Sequence, residues 1–271
     1  MLARDLTTGS IGKNILVFSI PYLISYFLQT LYGMADLFII GQFQGAASIT
    51  AVSIGSQVMH MVTVIIVGLA MGTTITIARS VGARDKAAVS RSIGNTVTLF
   101  LGVSVALAAV MVALLPHLVA IMSTPEEAVA GTHDYLYYCA LGIPLIAAYN
   151  IIAAIFRGLG DTRSPMYFIA VACVLNIVLD YVFLGAVGMG PEGAAIATVI
   201  AQGVSVVISL FYIRRGSAGI SVARSDFRPD HAMLHDILRI GVPIALQDGF
   251  IQISFLVITV IANMRGLTDA A

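Results

Sequence analysis

The chain has 271 residues, of which 59% are hydrophobic and 10% are charged. Soluble proteins average about 25% charged residues, so this composition excludes a disordered, collagen-like or coiled-coil chain and argues against a soluble globular domain. The 14 basic residues balance 14 acidic ones, which leaves no bulk charge for nucleic acid. Cys139 and Cys173 sit inside apolar runs and read as small packing residues, not as a disulfide. No Cys/His cluster has metal spacing.

A bilayer core about 30 Å thick needs roughly 20 apolar residues per helix. Seven stretches are long enough: 15–42, 47–78, 93–115, 135–156, 166–187, 194–213 and 240–264. Backbone in lipid must bond to itself, so each is expected as a helix, and the alternation of a barrel strand is absent. The fold class is therefore all-α, a polytopic membrane protein. The first stretch is too long for a cleaved signal and carries Asp36. His60, inside the second, reads as an interior histidine.

The basic residues choose a side. Arg4 and Lys13 precede span 1, and Arg79, Arg84, Lys86 and Arg91 lie between spans 2 and 3. Arg157 and Arg163 separate spans 4 and 5, while Arg214, Arg215, Arg224, Arg228 and Arg239 separate spans 6 and 7. The intervening connections hold no Lys or Arg, and only Arg265 falls on the other face. This positive-inside pattern predicts a multi-pass cell-membrane protein (inner or plasma membrane) with a cytoplasmic N-terminus.

The segment Ile237-Leu-Arg-Ile-Gly-Val-Pro243 resembles Ile15-Leu-Val-Phe-Ser-Ile-Pro21, and both open a span from the cytoplasmic side. Six spans return the chain to its starting side, so a second half would run parallel to the first. The expected organisation is a six-helix N-terminal lobe over 1–213, a cytoplasmic linker over 214–236, and the first helix of a second lobe over 237–271. The chain is expected to be a C-terminally truncated piece of a longer transporter, with its second lobe as the missing partner.

Ionisable residues within spans mark candidate functional sites. Asp36, Asp180 and Asp248 qualify. At ~1.5 Å per residue, Asp36 and Asp180 both lie roughly 10 Å below the outer surface. Asn176 is one turn from Asp180 on the same face, and Thr198 reaches the same depth from span 6. Two carboxylates, an amide and a hydroxyl can supply oxygen ligands to a hard cation. Alternatively, the coupled carboxyls can hold a proton, or each Asp can bond a neighbouring hydroxyl and fix helix packing. Ser25, Gln29, Tyr32 and Asp36 form one polar stripe on span 1. Span 7 carries Gln247 and Asp248 near Pro243. Pro21 and Pro243 each remove a backbone hydrogen bond and can bend their helices.

Three stretches carry a family resemblance: Gln29-Thr-Leu-Tyr-Gly-Met-Ala-Asp36-Leu-Phe-Ile-Ile-Gly41, the loop Arg157-Gly-Leu-Gly-Asp-Thr-Arg-Ser-Pro165, and Asn176-Ile-Val-Leu-Asp180-Tyr-Val-Phe-Leu-Gly185. They resemble the multidrug and toxic compound extrusion (MATE) transporters, and the likeness covers the whole chain. The resemblance implies twelve helices in two six-helix lobes and export of cationic amphipathic drugs in exchange for H⁺ or Na⁺, with no other cofactor. It implies a cation site at Asp36, Asn176, Asp180 and Thr198, with Tyr135 nearby; the first four would ligate Na⁺ in a sodium-coupled protein. Asn150 matches a polar position on the fourth helix, whereas a second amide position is Ala153 here. Gln29, Tyr32, Asn150, Gln247 and Asp248 are the expected substrate contacts.

The expected function is therefore secondary active multidrug efflux by alternating access, across the lipid bilayer and without nucleic-acid partners. One alternative is a two-lobe flippase of lipid-linked precursors, but anionic cargo would want Arg or Lys inside spans 1–6, where none is read. A seven-helix receptor would place the N-terminus outside, and a retinal Schiff base needs a mid-membrane lysine. The only lysines are Lys13 and Lys86, both at the cytoplasmic face. No nucleophile elbow, phosphate loop or metal motif suggests an enzyme.

Overall fold

The computed structural model describes residues 9–215 and 222–263. Arg4, Arg265 and residues 266–271 lie outside them. Seven long helices run in chain order: α1 Ile11–Phe43, α2 Ala46–Gly82, α3 Lys86–Ile121, α4 Val129–Gly158, α5 Arg163–Asp180, α6 Pro191–Arg214 and α7 His231–Asn263. All seven are long and apolar enough to cross a membrane. They correspond one to one with the expected spans. α5 continues beyond Asp180 into a wider helical segment, Tyr181–Ala186.

Local chemistry sets the helix ends. The Asp85 carboxylate accepts from the Ala88 amide at 2.9 Å and caps α3. Asp161 accepts from the amides of Arg163 and Ser164 at 3.0 and 3.1 Å and starts α5. Gly160 precedes it with φ +85°, which closes the α4–α5 turn read from the sequence. Pro191 opens α6, where its missing N–H costs nothing.

α4 is the centre of the bundle, with α2, α3 and α6 packed around it. α5 lies on α6, α1 lies on α5, and α7 lies on α2. Between apolar helices in lipid, close approach replaces the hydrophobic drive, and small residues permit it. The α2–α7 crossing shows this most clearly. A Cβ added at Gly72 would sit 2.1 Å from the Ile237 carbonyl oxygen, and one at Gly241 would sit 2.5 Å from that of Leu69. At Gly68 it would meet the Ala245 Cα at 2.5 Å. The two backbones are in direct contact.

The segment before α7 is held against α3. The Asn95 side-chain amide donates to the Asp226 carbonyl at 3.2 Å, and the Asp230 amide donates to Asn95 Oδ1 at 2.7 Å. The Thr98 hydroxyl donates to the Phe227 carbonyl at 2.8 Å. Gly94 leaves room for this, since a Cβ there would lie 2.2 Å from the Asp226 oxygen. Asp230 then caps α7 by accepting from the Ala232 amide at 3.0 Å. α7 accordingly begins at His231, inside the 214–236 stretch read as linker.

His60 departs from its interior assignment. It is exposed on α2 among the described residues. Cys139 and Cys173 are buried free thiols, as expected.

Gly72→Ala should lower the thermal unfolding temperature of the detergent-solubilised protein, with a cost of about 1–3 kcal/mol for overpacking. Gly102→Ala is the matched control, because nothing lies within 4 Å of its added Cβ. It should be neutral or slightly stabilising.

Candidate functional site

Three helices each contribute two polar residues one turn apart. α1 supplies Tyr32 and Asp36, α5 supplies Asn176 and Asp180, and α6 supplies Thr198 and Gln202. α1 and α5 run in one direction and α6 in the other. Asp36, Asp180 and Thr198 therefore share one level, and Tyr32, Asn176 and Gln202 share the level below. The spacing of four residues keeps each pair on one helix face.

Asp36, Asn176, Asp180, Thr198 and Gln202 are buried, and Tyr32 is half-buried. The Thr198 hydroxyl donates to Asp36 Oδ2 at 3.2 Å, and the Asn176 amide donates to the Thr198 hydroxyl at 3.4 Å. The Asp180 carboxyl lies beside that of Asp36, within direct electrostatic reach. One level down, the Gln202 amide nitrogen donates to the Tyr32 hydroxyl at 3.4 Å. Tyr32, Asn176, Thr198 and Gln202 line one narrow crevice, closed on its apolar side by Ala172 and Ala201.

The donor count does not match the acceptor count. Asp36 Oδ1, both Asp180 oxygens, Asn176 Oδ1 and Gln202 Oε1 are buried without a hydrogen-bond partner among the described residues. Buried polar atoms are nearly always paired. A cluster of oxygens that lacks donors is suited to a bound cation, either a proton on a carboxyl or a hard metal ion held by several oxygens at once. Like-charged carboxylates in a low-dielectric bundle repel, and a cation between them turns that repulsion into attraction.

The C-terminal end of α1 is fixed beside this cluster. Phe43 packs edge-on against Tyr181, with ring centroids 6.0 Å apart, and lies over Gly185. Gln44 donates to the Met189 carbonyl at 3.2 Å. The wider helical segment that receives Phe43 starts directly after Asp180. Such irregular turns recur at functional positions in helices.

The remaining residues singled out in the sequence stand apart from the pair. Tyr135 is buried nearby, but its hydroxyl pairs with that of Ser56 at 3.1 Å and its ring covers Gly55. Asn150 is buried on α4 and donates to the Ile146 carbonyl of its own helix at 2.8 Å. Ser25 does likewise, bonding the Pro21 carbonyl at 2.8 Å. Gln29 is half-buried on α1. Gln247 is exposed and Asp248 half-buried on α7, which lies across the bundle from α1. The sequence reading passed over Gln202. Its signal was an amide inside an apolar helix, one turn after Thr198.

Seven helices long and apolar enough to cross a membrane, with two carboxylates buried among them, define the class as a polytopic membrane protein. The MatE family model matches residues 21–182, more than half of the chain. The chain belongs to the MatE family. A Bacillus subtilis protein described as a probable multidrug resistance protein, YpnP, is 31% identical over 267 residues, covering 98% of this chain and 59% of the relative. The probable multidrug resistance protein NorM of Thermotoga maritima is 30% identical, covering 88% and 52%. Among solved structures, a MOP superfamily transporter from Pyrococcus furiosus aligns with a TM-score of 0.83 at 31% identity, covering 90% of this chain and 54% of its own. An outward-facing multidrug resistance transporter of the MATE family aligns equally well, with a TM-score of 0.83 at 31% identity over 89% of this chain and 53% of its own. The chain thus spans about half the length of the curated relatives it matches.

Thr198→Val keeps the side-chain shape but removes the donor to Asp36 and the acceptor for Asn176. It should destabilise the protein by about 1–3 kcal/mol in thermal unfolding. Thr63→Val should change little, because the Thr63 hydroxyl bonds only the Met59 carbonyl of its own helix.

Proposed function

We propose that this chain is the cation-coupling portion of a secondary antiporter that exports cationic amphipathic compounds in exchange for H⁺ or Na⁺. The observation that carries this reading is the buried Asp36–Asp180 pair with its unpartnered oxygens, set where α1 meets α5 and α6. A cation entering there removes the repulsion between the carboxylates and draws α1 onto α5. It can drive transport only if it binds one conformation of the protein more tightly than the other. The names of the relatives, which describe multidrug resistance and export, support small-molecule drugs as the cargo.

In this reading the protein alternates between inward-open and outward-open states by movement of two lobes, and a second bundle beyond α7 completes the drug path. Gln29, Tyr32, Asn150, Gln247 and Asp248 are the proposed drug contacts, and Tyr135 supports the cation site from α4. Pro21, inside α1, supplies the bend that lets the outer half of the helix respond to the ion. The concentration of basic residues at one end of the bundle supports a cytoplasmic N-terminus and a plasma-membrane location.

In cells carrying the full-length transporter, Asp36→Asn should abolish drug resistance at unchanged expression. Efflux from reconstituted vesicles should follow an imposed proton gradient or sodium gradient, and Asp180→Asn should lose the same dependence. Efflux in Asp36→Asn equal to wild type would overturn the coupling role.

A further inference from the structure

Gln202 is 3% exposed and its side-chain oxygen has no partner among the described residues, although its nitrogen is used by Tyr32. An amide buried within an apolar helix is costly when half of it is unpaired. A leucine or methionine would fill the same space without that cost. The orientation is informative as well. Gln202 lines the same crevice as Asn176 and Thr198, one turn below the carboxylates, and Asn176 also keeps an unpartnered amide oxygen there. The Tyr32 hydrogen bond holds the Gln202 amide by its nitrogen and so leaves the oxygen as the free end.

A proton alone cannot use these atoms. One proton on one carboxyl provides a single O–H donor, which satisfies a single acceptor. The amide oxygens of Asn176 and Gln202 would still be orphaned. A hard metal cation, by contrast, collects several oxygens at once, and neutral carbonyl-type ligands are well suited to it. We infer that Gln202 is a further ligand of the coupling site, which supplies a neutral oxygen to a monovalent metal cation held between the carboxylate level and the amide level. Gln202 then belongs to a two-level cage: Asp36 and Asp180 provide charge, Asn176 and Gln202 provide neutral coordination, and Tyr32 orients Gln202. This inference rests on the cation-coupled reading given above and adds to it Gln202 as a ligand.

The test is thermal unfolding of the purified full chain in detergent, titrated with NaCl against choline chloride at constant ionic strength. Ligand binding to the folded state raises its stability by RT ln(1 + L/Kd), where L is the free ligand concentration, so a weaker site needs proportionally more ligand for the same shift. Wild type should be stabilised by Na⁺, and Asp36→Asn should not respond. Gln202→Met should need at least about tenfold more Na⁺ for the same stabilisation, corresponding to roughly 1.4 kcal/mol of affinity. A Gln202→Met response equal to wild type, in a protein whose Asp36→Asn variant has lost the response, would overturn the role of Gln202 alone. Absence of any Na⁺ response in wild type would overturn the metal-ion assignment itself. Should Gln202→Met fail to fold, Gln202→Glu replaces it. An added carboxylate oxygen at a true ligand position should lower the Na⁺ concentration needed for the same stabilisation, and an unchanged or higher value would count against the proposal.

Discussion

Two carboxylates held side by side inside a bundle of lipid-spanning helices are the constraint around which this protein is arranged. In water, screening would make their neighbourhood unimportant. In a low-dielectric interior each charge is costly and each feels the other strongly. The surrounding atoms do not neutralise the pair. Thr198 gives Asp36 one hydrogen bond, and among the described residues no Lys or Arg forms an ion pair with either carboxylate. The site is left short of positive charge and of donors, which is the condition that makes a mobile cation its natural complement. Because Asp36 and Asp180 stand on different helices, the cation proposed for that site would act directly on how α1 sits against α5.

The two flanks of the bundle are built differently, in keeping with this. α1 packs the buried Ile39 and Ile40 into the core and adds specific anchors: Phe43 and Gln44 at one end, the Asp36–Thr198 and Tyr32–Gln202 hydrogen bonds in the middle, and the Arg157 guanidinium over the Tyr22 ring, 5.4 Å from its centroid, near the other end. Much of its remaining surface is apolar and exposed, as a lipid-facing helix requires. On the opposite flank, α7 is pressed backbone to backbone on α2, and the segment before it is laced onto α3 by Asn95 and Thr98.

The seven spans were legible because lipid imposes a length and a composition that few other environments impose. Their ends were less so. Hydropathy marks only the apolar core of a helix, while α3 begins at Lys86 and α7 at His231, in polar sequence that caps and packs at the aqueous end. Asp36, Asp180 and Thr198 could be brought to one depth by counting residues from the span ends, with Asn176 one turn from Asp180, since rise per residue is fixed. Gln202 escaped because an uncharged amide does not stand out as a carboxylate does. The docking of Asp226 and Asp230 on Asn95 joins residues more than a hundred positions apart, and no local pattern in α3 announces which strand of chain will cover Gly94. His60 and Asn150 show the remaining gap. Residue type gives no information on which helix face is covered, so one proved exposed and the other satisfied its donor on its own backbone.

The most direct measurement is chemical modification of the pair itself. A hydrophobic carbodiimide, applied to the protein in lipid nanodiscs and mapped by mass spectrometry, reports which membrane carboxyls are reactive and whether an ion shields them. A cation-binding pair should give an adduct at Asp36 or Asp180, and the adduct should decline as Na⁺ is raised or as protons are withdrawn. An adduct level indifferent to both, or modification confined to carboxylates at the helix ends, would contradict a cation-binding role for the pair.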